Sequence, residues 1–157
     1  MKNLIDKFEN HYGSLASNVK QKVIHYSNDG YNTVNRYLFA PAFNKKSKAK
    51  ANEYIDILDD AISFELPTSI TVFKGVKSPM TDKIDQLKKN DTYQYKAYIS
   101  TSLSKRIAKT FGKVLKINVP KGTKVMYIPN PINPEKEILI ARNSTLKKIS
   151  DNEFSLV

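Results

Sequence analysis

The chain of 157 residues contains no cysteine. Disulfides, thiolate metal sites and cysteine nucleophiles are excluded together. It has only two histidines, His11 and His25, both near the N-terminus. A histidine-built metal centre or a histidine-dependent catalytic triad therefore lacks material, and no metal is expected. No apolar run approaches the roughly 18 residues needed to span a bilayer. The opening residues Met1 to Lys7 show no apolar stretch of signal-peptide type, so the expected location is the cytoplasm, or the cytosol of a target cell. Acidic residues are also missing locally: none lies between Asp91 and Glu135.

What is present points to one compact domain over 1–157 with enough chain for a real core. The apolar fraction of 40% is ordinary for a globular protein, and the net charge is +11. Such a charge suits an anionic partner, whether nucleic acid, a phosphate-bearing small ligand or an acidic protein surface. No DNA- or RNA-binding motif stands out.

Residues 1–66 read as mainly helical and 67–157 as mainly strands, which indicates α+β rather than a parallel βαβ array. Leu4, Phe8, Leu15, Val19 and Val23 recur at helical intervals, as do Tyr54, Ile55, Leu58, Ala61 and Ile62. Ser27-Asn28-Asp29-Gly30 reads as a turn, and Tyr31 to Leu38 as a short helix stopped before Pro41. Ile70 to Lys74 reads as a strand that Gly75 breaks. Tyr93 to Ser102 alternates as one strand, Ser104 is placed to cap a short helix ending at Gly112, and strands are expected at 114–119, 124–128 and 137–142. Phe154 to Val157 is expected to close the sheet.

Glu135-Lys136-Glu137 stands at the mouth of a strand, behind Pro131 and Pro134. On a strand the two glutamates share one face and Lys136 takes the other. The same spacing also suits a charged edge strand that deters aggregation.

Phe73-Lys74-Gly75-Val76, Tyr98-Ile99-Ser100-Thr101-Ser102 and Glu135-Lys136-Glu137-Ile138-Leu139 follow one another in that order. Together they resemble the mono-ADP-ribosyltransferases of the Arg, Ser-Thr-Ser, Glu-x-Glu class, in particular the enzymatic components of binary actin-modifying toxins and phage-borne relatives. Tyr26 to Leu38, with Tyr31 and Val34-Asn35, and the turn Val119-Pro120-Lys121-Gly122 extend the likeness over roughly residues 20 to 150.

The resemblance implies helices packed on a mainly antiparallel two-sheet core, and NAD as co-substrate. It implies Glu137 as the carboxylate beside the ribose, Ser100 as the hydroxyl that orients it, and Glu135 as the residue that goes with arginine as acceptor. Lys74 with Gly75, and Asn35, Thr101, Phe111 and Lys113, form the implied dinucleotide-contacting set; Ile132 and Asn133 form the implied acceptor-recognising turn. The implied partner is a protein of a host cell with an accessible arginine.

One departure is plain: the first motif of the family carries arginine, and this chain has Lys74. Lysine offers a flexible point charge where arginine offers a planar fork. Lys96, Lys105, Arg106, Lys109, Lys113, Lys116, Lys121 and Lys124 surround the proposed cleft in sequence, and most of the eight are expected to be solvated surface cations. The alternative function is a binding module of the same fold that has lost the chemistry and docks on nucleic acid or an acidic protein.

Overall fold

The structure is a computed structural model and describes residues 2–157. Helices α1 (Lys2–Ser14) and α2 (Ser17–His25) open the chain. A single π-helical turn, Tyr26–Gly30, then runs without a break into α3 (Tyr31–Phe39). The sequence signals a turn at Ser27-Asn28-Asp29-Gly30, and the structure widens the helix there instead of ending it. Gly30 permits this, because a Cβ on it would lie 2.7 Å from the Tyr54 ring. Two short 3-10 turns lead to α4 (Lys48–Ala61).

The strands are β1 (Phe64–Glu65), β2 (Ile70–Val76), β3 (Thr92–Tyr95), β4 (Ile99–Ser102), β5 (Lys113–Val119), β6 (Lys124–Ile128), β7 (Glu137–Ile140), β8 (Ser144–Ser150) and β9 (Glu153–Leu156). Helix α5 (Met80–Gln86) follows β2, and α6 (Lys105–Lys109) follows β4. The Ser104 side chain accepts the Ile107 N–H at 3.3 Å, the expected N-cap.

The strands pair in the order β1-β6-β7-β4-β2-β5-β9-β8-β3, a continuous run of nine. Two sheets were expected, and the hydrogen-bonded order connects both halves. The connection is slight, however: β2 and β4 share only the pair Phe73↔Ser102. Pairing is antiparallel throughout except between β5 and β9. Strand alternation then divides the interior. Ile99, Ile138 and Ile140 face a core shared with Val72, Leu115 and Ile117 of the other half. Leu139, Met126 and Ile128 face α2, α3 and α4, with Tyr54 and Leu58. Each such fully buried side chain contributes roughly 1.5–3 kcal/mol.

Three further expectations are corrected. Strand β2 runs through Gly75 to Val76, paired with β5 along its whole length. The alternating stretch 93–102 is two strands, with β3 pairing β8 at one end of the sheet and β4 pairing β7 in the other half. The C-terminal strand β9 does not close the sheet at an edge but lies between β5 and β8.

Candidate active site

Strand β4 lies between β7 and β2, so it carries the site at the junction of the two half-sheets. Ser102 pairs with Glu137 and Ser100 with Leu139. Ser100 is therefore a diagonal neighbour of Glu137 on the face turned towards the helices, within side-chain reach. The Ser100 hydroxyl donates to Glu137 Oε2 at 2.5 Å. On the other strand, the Lys74 ammonium donates to the Ser100 carbonyl at 3.0 Å and stands 5.6 Å from the centre of the Tyr95 ring. From the helical side, the Ser27 hydroxyl donates to Glu137 Oε1 at 2.8 Å. Glu137 thus receives a hydroxyl on each oxygen while being only 4% exposed.

These side chains line one cavity of about 430 Å³. Its walls include Tyr31, Phe73, Tyr95 and Phe111, with Asn35, Gly75, Asn133 and Glu135. Gly75 is required by packing: a Cβ there would meet the Ala108 carbonyl oxygen at 2.2 Å and Phe111 Cβ at 2.8 Å. Its bare backbone lets α6 close against β2 and bring Phe111 to the wall.

Burial shapes the titration of the site. It pushes the Lys74 ammonium down to about 8, opposed by the negative charge of Glu137. It pushes the Glu137 carboxyl above its ordinary value, opposed by the hydrogen bonds from Ser100 and Ser27 and the charge of Lys74. Glu135 is also raised, first by burial and then by the charge of Glu137.

The two glutamates meet by a different route from the one their spacing suggests. Strand β7 begins at Glu137, and Lys136 has φ 49°, left-handed backbone uncommon for a side-chain-bearing residue. Glu135 is therefore not on the strand. It is held at the cavity because Ser102 Oγ donates to its carbonyl at 2.6 Å and Leu103 N–H donates to the Lys136 carbonyl at 3.1 Å.

Of the residues singled out in the sequence, Glu137, Glu135, Ser100, Lys74, Asn35, Gly75, Thr101, Phe111 and Asn133 line this one cavity. Thr101 contributes chiefly backbone, since its hydroxyl donates to the Ile138 carbonyl at 2.7 Å. Lys113 does not line it and pairs with Asp85 at 3.0 Å. Ile132 is 71% exposed and also stands outside the lining. None of the eight basic residues that surround the cleft in sequence lines the cavity; its one cation among the described residues is Lys74. Sequence reasoning missed Ser27, whose contact with Glu137 spans 110 positions. The only signal was its place beside Tyr26 in the matching N-terminal segment.

Comparison with known proteins agrees with this geometry. The model of the ADP-ribosyltransferase exoenzyme family matches residues 5–155. NAD(+)–arginine ADP-ribosyltransferase EFV of Enterococcus faecalis is 33% identical over 140 residues. That match takes in 81% of this chain but 28% of the length of the curated relative. Among solved structures, Plx2a, an ADP-ribosyltransferase toxin from Paenibacillus larvae, superposes with a TM-score of 0.77 at 20% identity, covering 97% of this chain and 92% of that one. An ADP-ribosyltransferase from Clostridium botulinum gives 0.77 at 21%, covering 99% and 91%. The ADP-ribosylating toxin BECa of C. perfringens, solved with NADH, gives 0.77 at 17%, covering 97% and 46%. The fold is theirs, and by the extent of its match the chain belongs to the ADP-ribosyltransferase exoenzyme family.

Proposed function

We propose that the chain is an NAD-dependent mono-ADP-ribosyltransferase that moves ADP-ribose to an arginine of a target protein. The carrying observation is that Lys74, Ser100, Glu137 and Glu135 line a single aromatic-walled cavity. Its size lies within the range of small-ligand sites, roughly 300–1,000 Å³. The residue types suit NAD: a cation for a pyrophosphate, flat rings for two ring systems, and a buried carboxylate for a sugar. The name of the Enterococcus faecalis relative supports arginine as acceptor.

NAD supplies a ribose–nicotinamide bond that breaks with positive charge building on the ribose, as in glycoside hydrolysis. Glu137, aimed from both sides by hydroxyls, stabilises that charge. Lys74, fixed by the Ser100 carbonyl, neutralises phosphate. Nicotinamide leaves with the electron pair of the broken bond. The guanidinium of the acceptor is protonated at any ordinary pH and cannot attack as it stands. Glu135, half-buried and raised above its ordinary value by burial and by the charge of Glu137, takes its proton as the new C–N bond forms. The turn carrying Ile132 and Asn133 meets the target protein.

Incubation with NAD and total cell lysate, followed by mass spectrometry, tests this. ADP-ribose is expected on arginine side chains. Label found on nucleic acid alone would overturn the acceptor. Absence of NAD binding, together with salt-sensitive binding of nucleic acid, would leave the chemistry-free docking module instead.

A further inference from the structure

Asn130 precedes the turn that carries Glu135 and is 3% exposed. Its Nδ2 donates to Asn28 Oδ1 at 2.6 Å and to Ser27 Oγ at 3.2 Å. Its Oδ1 accepts the N–H groups of Ile132 at 3.0 Å and Asn133 at 3.1 Å. Asn133 Nδ2 returns to Asn28 Oδ1 at 2.9 Å. One amide therefore ties the π-helical turn to the loop that leads into β7.

The direction of each bond matters. A serine hydroxyl has one proton. Because Ser27 Oγ accepts from Asn130, its proton is left for Glu137 Oε1, and the chain Asn130→Ser27→Glu137 polarises in one sense. At its other end the same amide shapes the 131–134 turn, which Glu135 follows directly; the Glu135 N–H donates to the Asn133 carbonyl at 2.8 Å.

We infer that Asn130 is a positioning residue for both carboxylates, aiming Glu137 through Ser27 and presenting Glu135 through the 131–134 turn. The inference rests on the function proposed above for its kinetic consequences, but its two arms have readouts of their own. Asn130→Asp keeps the acceptor for the turn and removes the donor to Ser27; Asn130→Ala removes both; Ser27→Ala breaks only the Glu137 arm.

With glutamate carboxyl carbons labelled with ¹³C, Glu137 titrates at higher pH than wild type in all three variants, the two alanine variants adding no charge of their own. The amides of Ile132 and Asn133 exchange as in wild type in Asn130→Asp, and about tenfold faster in Asn130→Ala. The ratio of arginine transfer to NAD hydrolysis is that of wild type in Ser27→Ala and Asn130→Asp, and falls about tenfold in Asn130→Ala. An unchanged Glu137 titration in Ser27→Ala or in Asn130→Ala overturns the first arm, and unchanged amide exchange in Asn130→Ala overturns the second. If Asn130→Ala does not fold, loss of the amide protection in Asn130→Asp overturns the second arm. If wild type transfers nothing to arginine, the proposed function fails while titration and exchange still decide the role of Asn130.

Discussion

Lys74 and Glu137 are joined through Ser100 rather than to one another. The Ser100 carbonyl takes the Lys74 ammonium at 3.0 Å and its hydroxyl reaches Glu137 at 2.5 Å, so a single residue of β4 sets the separation of the cation and the buried carboxylate. The arrangement places a positive and a negative group on one wall of the cavity, at the point where the two half-sheets meet.

If Lys74 holds the pyrophosphate as proposed, NAD binding is expected to depend on pH. Its ammonium is lowered to about 8 by burial, so it is charged below that pH and neutral above it. NAD affinity measured by calorimetry is expected to weaken as pH rises from 7 to 9.5. Lys74→Arg, permanently charged, is expected to flatten the profile over that range. Lys74→Met is expected to weaken binding at pH 7 by roughly tenfold or more, the scale of a lost charge-assisted hydrogen bond.

Ser100→Ala should move the acid limb of NAD hydrolysis. On the proposed mechanism the carboxylate form of Glu137 is the active one, so activity is expected to fall as pH drops through its titration. The Ser100 hydrogen bond holds that titration down; its removal shifts the limb to higher pH and lowers the plateau by about tenfold or more. A pH–rate profile of nicotinamide release reads both effects.

Glu137 carries a stability cost that its removal should relieve. Its folded-state titration lies above that of the unfolded chain, so its contribution to stability is fullest at low pH and is lost as pH rises through the folded value. Glu137→Gln is therefore expected to melt at or above the wild-type temperature at pH 8. A melt several degrees lower would show that the charge itself holds the site together.

Gly75→Ala drives a methyl group into the Ala108 carbonyl, 2.2 Å away. Relief requires α6 to move off β2 and to carry Phe111 from the cavity wall. Overpacking of this kind costs about 1–3 kcal/mol, visible as a lower melting temperature together with weaker NAD binding.

The motifs were legible because each is local. Lys74, Ser100 and Glu137 each sit in a short β-branched or aromatic stretch, and the order of those stretches brought them to one cavity. What failed to read was what pairing decides. Residues 93–102 alternate without interruption, yet the chain leaves the β3 ladder after Tyr95 and joins β7 from Ile99. Strand β8 lacks a legible apolar alternation because Lys147-Lys148 sits in its middle. Lys148 is buried and satisfied by the carbonyls of Ile84 and Leu87, both at 2.9 Å, partners more than sixty positions away. Glu135 and Glu137 line one cavity, but not through strand alternation, which does not survive the left-handed Lys136. Ser27 and Asn130, 103 positions apart, carry no local signature of their hydrogen bond.

The most direct test of the central claim is a paired assay of nicotinamide release and of ADP-ribosyl-arginine formation on one protein acceptor. Wild type is expected to give both products, Glu135→Gln to release nicotinamide without modifying arginine, and Glu137→Gln to do neither. Wild-type turnover by Glu137→Gln, or undiminished arginine transfer by Glu135→Gln, would contradict the division of labour between the two carboxylates.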